Sequence, residues 1–126
     1  MKILVVDDNR DNADSLAILL EMDGHETALA YDGEEAVQAT QRIEPDVVLL
    51  DIALPKLSGY EVCRHIRRQT WGERVVVIAL TGWGREPEGE ESDASARFDA
   101  HVMKPAAFDE LSAIIKKLSG LRDARD

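Results

Sequence analysis

This chain is poor in cysteine, short of basic residues and without a long apolar run, and each lack narrows what it does. Cys63 has no second thiol in the chain, so an internal disulfide is excluded and a reducing cytoplasm is the simplest setting. No apolar stretch approaches the roughly 20 residues that a bilayer span requires. The run from Met1 to Val6 is too short for the apolar part of a signal peptide before Asp7 interrupts it. Lys and Arg number 15 against 25 Asp and Glu, a formal charge of −10. Such a chain lacks the basic face that displaces counterions from nucleic acid, so direct nucleic-acid binding is not expected, and adsorption to an anionic membrane is equally disfavoured. At 126 residues there is room for one domain and not for two. Internal repeats and low-complexity tracts are also missing.

What is present is an alternation of short apolar runs with longer amphipathic stretches. Ile3 to Val6, Val47 to Leu50 and Val75 to Leu80 are unbroken and rich in β-branched residues. Such runs read as strands buried on both faces, the habit of a parallel sheet. Thr27 to Ala30 and Ala100 to Met103 are two weaker candidates. Between them, Ala13, Leu16, Ala17 and Leu20 follow a helical period, with Gly24 placed to close the helix. Asp32 with Glu35, and Ser58 with Glu61, have the spacing of capping boxes that open two further helices. A last helix carries Leu111, Ile114, Ile115 and Leu118, then meets Gly120. The pattern is (βα)5 with short connections, a doubly wound parallel sheet. The segment 85–98 should hold the fourth helix, but Pro87, Gly89 and few apolar residues predict a short or irregular one. The domain is expected to span 1–120, with 121–126 a fraying tail.

In an open α/β sheet the ligand site lies beyond the carboxyl ends of the strands. Asp7 and Asp8 follow the first strand, Asp51 the third, Thr81 the fourth, and Lys104-Pro105 the fifth. Three carboxylates brought together want a cation, and oxygen donors select a hard one such as Mg²⁺. Lys104 and Thr81 suit a phosphoryl group, as point charge and hydroxyl donor, and a carboxylate beside Mg²⁺ is how an aspartyl phosphate forms. Each piece alone has a plainer reading: Asp7-Asp8 as a helix cap or solvated loop, Asp51 and Thr81-Gly82 as turns. It is their occurrence in four loops at one end of one sheet that points to chemistry.

Val5-Val6-Asp7-Asp8-Asn9, Leu49-Leu50-Asp51-Ile52-Ala53-Leu54-Pro55 with Gly59, Ala79-Leu80-Thr81-Gly82 and Val102-Met103-Lys104-Pro105 together resemble the receiver domain of two-component response regulators, the CheY-like family. The likeness runs from about Lys2 to Leu118. It implies a flavodoxin-like sheet of strand order 2-1-3-4-5. It further implies that Asp51 accepts a phosphoryl group from a histidine kinase or histidine phosphotransfer protein. Asp8, Asp51 and the backbone carbonyl of Ala53 would bind Mg²⁺, and Asp7 would act through water. Lys104 would contact the phosphoryl group, Thr81 would swing toward it, and the Lys104-Pro105 peptide would be cis. The outcome would be a conformational switch read by a downstream protein that the sequence does not identify. Chemistry would stop at self-catalysed phosphoryl transfer and loss, so the chain would not be an enzyme in the turnover sense.

Three departures qualify the likeness. The switch aromatic of the family, three residues before the lysine, is His101 here, either a switch that keeps its role or a plain strand residue. The positions that tune dephosphorylation are Ala53 and Trp83, neither of which orients an attacking water, so a long-lived aspartyl phosphate is expected. Ala106-Ala107 replaces a capping hydroxyl before the last helix, and the neighbouring 85–98 segment is acidic, so a dimer that drives DNA binding is not expected. Cys63 lies on the apolar side of its helix and reads as core, and Trp71 as cover. His25 and His65 lack metal-ligand spacing. Two other functions compete: a phosphorylation-independent protein-binding module, and an Mg²⁺-dependent phosphohydrolase acting through Asp51. Phe98-Asp99-Ala100-His101 resembles receivers attached to hybrid kinases, whereas Met1 directly before the first strand favours a free-standing protein. Asp7, Asp8, Asp51, Glu86, Glu88, Glu90, Glu91 and Asp93 together match eight of the ten excess negative charges, which places the acid excess in a site and a loop.

Overall fold

The computed structural model describes residues 1–54, 57–81, 98–104 and 107–125, with side chains as far as Gly120. Along the chain run β1 (Lys2–Val6), α1 (Arg10–Met22), β2 (Glu26–Ala30), α2 (Gly33–Ile43), β3 (Val47–Asp51), α3 (Gly59–Arg67), a 3-10 turn (Gly72–Arg74), β4 (Val76–Thr81), β5 (Ala100–Met103) and α4 (Phe108–Arg125). The strands form one five-stranded sheet in the order β2-β1-β3-β4-β5, with every pairing parallel.

Strand alternation divides the core. Ile3, Val5, Val47, Leu49, Val76 and Ile78 point to one face, where Ala13 and Leu20 of α1 and Leu111 and Ile115 of α4 cover them. Leu4, Val6, Val48, Leu50 and Val77 point to the other, beneath Ala36 and Ala39 of α2 and Val62, Cys63 and Ile66 of α3. Every residue of β3 and β4 is buried, as unbroken apolar runs require of central parallel strands. Each Leu or Ile so buried contributes roughly 1.5–3 kcal/mol relative to exposure. Cys63 is fully buried, and Trp71 packs on the same cluster.

Local chemistry sets the helix limits. At the end of α1 the Gly24 N–H donates to Glu21 O at 3.0 Å and the His25 N–H to Leu20 O at 3.1 Å. This Schellman closure needs the left-handed φ of +93° that Gly24 adopts without strain. Ser58 Oγ accepts the Glu61 N–H at 3.3 Å, and Asp32 accepts the Glu35 N–H at 2.8 Å. In the second case the Glu35 carboxylate reaches back one residue further than in a capping box, to the Tyr31 N–H at 3.0 Å.

The last helix differs from the sequence reading. α4 runs through Gly120 to Arg125 instead of stopping at the glycine, which shows no positive φ there. Glycine inside a helix costs about 1 kcal/mol relative to alanine, too little by itself to end one. The expected irregular helix falls, apart from Phe98, outside the described residues, as do Trp83, Pro105 and Ala106. Among the described residues no helix is long and apolar enough to cross a membrane.

Candidate functional site

Parallel strands end together, and three of them deliver carboxylates or an ammonium to one point. β1 ends at Val6, and the Asp7 N–H still donates to Ala30 O at 3.1 Å, which holds Asp7 in line with the strand. Its Oδ1 accepts the Asn9 N–H at 3.0 Å, while Asn9 in turn caps α1 through the Asn12 N–H at 3.2 Å. Asn9 therefore does the capping that the sequence left open to Asp7 and Asp8, and the two aspartates are released for other work. Its signal was present, since Asn is among the best N-cap residues.

Asp51 closes β3, in register with Leu80 of β4. Its Oδ1 accepts the Ala53 N–H at 3.0 Å. Lys104 Nζ lies 3.0 Å from Asp51 Oδ2 and 3.1 Å from Asp7 Oδ2. Each buried carboxylate thus spends one oxygen on its own turn and the other on the same lysine. The Lys104 N–H donates to Thr81 O at 2.8 Å, which carries the β4–β5 pairing one step past the strands and brings buried Thr81 beside the lysine backbone.

Burial drives the Asp51 carboxyl above its ordinary pKa, against the opposing pull of Lys104 and the Ala53 N–H, and the charge of Asp7 adds to the rise. Burial would lower Lys104, but its bonds to Asp51 and Asp7 and their charges outweigh this and hold the ammonium above its usual value. Lys104 is therefore a fixed cation.

Asp7, Asp8 and Asp51 each offer a carboxylate oxygen, and these lie within 4.8 Å of one another. Asp8 is exposed and the other two are buried. With all three ionised, the carboxylates and Lys104 sum to two negative charges, the amount one divalent cation cancels. An all-oxygen donor set with an open, solvent-facing member fits a hard ion that keeps part of its water, as Mg²⁺ does.

His101 lies on β5 opposite Ala79, exposed, with its ring 5.3 Å from that of Phe98 in an edge contact. It is not in the carboxylate cluster. Ala53 is exposed beside Asp51, and Trp83 and Pro105 lie outside the described residues. Arg67, which the sequence reading passed over, has a side chain only 6 % exposed and ion-pairs Asp99 at 2.9 Å. Nothing in local sequence marks that pair, because its members are 32 positions apart.

Comparison with known proteins agrees with this geometry. The profile of the response regulator receiver domain matches residues 3–116. Response regulator MprA of Mycobacterium leprae is 38 % identical over 119 residues, 94 % of this chain and 50 % of that protein. DNA-binding response regulator MtrA of Mycolicibacterium smegmatis is 39 % identical over 115 residues, 91 % of this chain and 49 % of the relative. The chain spans about half the length of these curated relatives. Among solved structures, the receiver domain of a sensor histidine kinase from Pseudomonas aeruginosa PAO1, with magnesium coordinated in its active-site cleft, superimposes with a TM-score of 0.83 at 34 % identity, covering 94 % of this chain and 97 % of that one. A CheY-like receiver domain protein of Methanospirillum hungatei gives 0.88 at 28 % identity, covering 99 % and 98 %.

Proposed function

The chain belongs to the response regulator receiver domain family, and from that premise we propose that Asp51 is its phosphoacceptor, charged from the phosphohistidine of a histidine kinase or histidine phosphotransfer protein. The observation that carries this assignment is the shared lysine. Asp51 is the buried carboxylate that ends a central strand, touches Lys104 at 3.0 Å and stands within metal-sharing distance of Asp7 and Asp8. Asp8, Asp51 and the Ala53 carbonyl would hold Mg²⁺, with Asp7 acting through water. When bound, the ion supplies positive charge against the phosphoryl oxygens.

In the transfer, an Asp51 carboxylate oxygen forms a bond to phosphorus as the bond from phosphorus to the donor imidazole nitrogen breaks. The imidazole leaves with that electron pair, and the product is an aspartyl mixed anhydride. Lys104 moves from the Asp51 oxygen to a phosphoryl oxygen, and so keeps a charge-assisted bond throughout. The Thr81 hydroxyl donates to another, and His101 follows Thr81 as the switch residue that a downstream protein reads. The reaction ends in a covalent adduct, with no turnover beyond its slow hydrolysis. Ala53 carries no group to orient water, which favours a long-lived adduct.

Incubation with acetyl phosphate or with phosphorylated histidine kinases in MgCl2 is expected to add one phosphoryl group to the parent and none to Asp51→Asn. Equal incorporation in both proteins would remove Asp51 from the role, and no incorporation from any donor would remove the function.

A further inference from the structure

Helix α3 touches the phosphoacceptor loop at its start, and its two ends meet Phe98 and Asp99, the residues that lead into the edge strand β5. At its start, Gly59 lies so close to the loop that an added Cβ would sit 2.7 Å from Asp51 O and from Ile52 Cα, and the Gly59 N–H donates to Ile52 O at 2.9 Å. The next residue, Tyr60, is buried, and its ring meets Phe98 edge-on at 5.6 Å. Phe98 meets His101 at 5.3 Å. Three rings thus lead from the residue beside the Asp51 loop to the exposed face of β5.

At the far end of α3, Arg67 donates to Gly72 O at 2.8 Å, Val75 O at 2.7 Å and Asp99 Oδ2 at 2.9 Å. The same Asp99 oxygen accepts the Val77 N–H at 2.8 Å, and the Asp99 N–H donates to Val77 O at 2.8 Å. Asp99 is thereby pinned to β4 and to α3 together, one residue after Phe98. Between the two ends, Val62, Cys63 and Ile66 are fully buried against the sheet. A nine-residue helix packed along its length moves as one body rather than bending.

We propose that α3 is a lever by which the state of Asp51 sets the ring of His101, with Tyr60 and Phe98 as positioning residues and the Arg67–Asp99 pair as its fulcrum. This rests on the phosphoacceptor reading and adds to it a route that bypasses Thr81. Thr81 approaches β5 along the β4 backbone, whereas the ring series approaches from the α3 face, on which both Phe98 and His101 lie. A shift of the Asp51–Ile52 backbone pushes Gly59 directly, since no side chain intervenes to absorb it.

The test follows the His101 imidazole Cε1–H resonance before and after saturation with beryllium trifluoride and MgCl2, with adduct at Asp51 confirmed by fluorine NMR. In the parent the resonance is expected to shift. Tyr60→Leu, which removes the ring that meets Phe98, is expected to cut that shift by at least half at full occupancy of Asp51, and Tyr60→Phe to restore it. Phe98→Leu should also suppress it. A full-sized shift in Tyr60→Leu and Phe98→Leu would overturn the lever. So would a parent that carries the adduct while His101 stays still, an outcome that leaves the phosphoacceptor reading intact. Absence of any adduct would bring down that reading, and the lever with it.

Discussion

At the scale of single residues, contacts with a neighbour decide what a side chain does. His25 is half-buried at the end of the sheet opposite the site, with its side chain 10 % exposed. Burial, then the N-terminal ammonium, lower its pKa below the ordinary 6.5, with Lys116 adding to this and Asp23 opposing it. The folded state therefore favours neutral imidazole. As pH falls through about 6.5 the unfolded chain takes up the proton first, and native stability drops until the lowered folded pKa is passed. Thermal midpoints of the parent and His25→Gln should coincide in slope above neutrality and diverge below pH ~6.5, with the parent falling more steeply; parallel curves would contradict this. At Ala53 the expectation concerns rate: Ala53→Asn places an amide beside the aspartyl phosphate and should shorten its lifetime by about tenfold, an effect of roughly 1.4 kcal/mol on the barrier. Decay of radiolabel would measure it, and an unchanged half-life would exclude Ala53 as the reason for persistence. Asp7, Asp51, Thr81 and Lys104, with Asp8 next to Asp7, were legible in the sequence because they follow apolar runs, and parallel strands align their ends. Asn9 was legible in type and was passed over beside two more conspicuous acids.

At the scale of elements, α3 shows both what pattern reveals and what it hides. Its apolar positions and its Ser58 cap were readable, since they repeat with the helix period or stand at its first turn. The inward Arg67 was not, because a basic residue near a helix end ordinarily serves the helix dipole and faces water. Only the fold brings Gly72, Val75 and Asp99 to its guanidinium. Arg67→Leu leaves two carbonyls and a carboxylate without that donor, and should destabilise the protein by about 3 kcal/mol. Urea unfolding would report it as a lower midpoint with an unchanged slope; a loss below about 1 kcal/mol would mean that the pair adds little. Gly120 teaches the converse lesson for α4. A glycine at a plausible stop is a signal only when the chain takes the left-handed turn, as it does at Gly24 and does not at Gly120.

For the whole molecule, the fold class was legible because alternation of buried strands with amphipathic helices admits few topologies, whereas the strand order came from the resemblance to the receiver family and not from the pattern. The charge was legible too, and it carries a thermodynamic expectation. A cation that binds only the folded site stabilises the protein by mass action, about 2.7 kcal/mol at a hundred times its Kd. For a domain of this size MgCl2 at that excess should raise the thermal midpoint by roughly 10 °C. Asp8→Ala removes the exposed carboxylate of the cluster with little cost to packing, and should abolish most of that rise. An equal rise in both proteins would place the ion elsewhere.

The sheet order has a further consequence. Among the described residues, β3, which ends at Asp51, is hydrogen-bonded on both sides, whereas β5, which carries His101, is paired with β4 alone. Amides of β3 should exchange with deuterium only through global unfolding, while those of β5 should exchange through local opening. The covalent mark would then be written on the slowest part of the molecule and displayed on one of the fastest, so occupancy of Asp51 would be felt at β5 as a change in opening frequency as much as a change in shape.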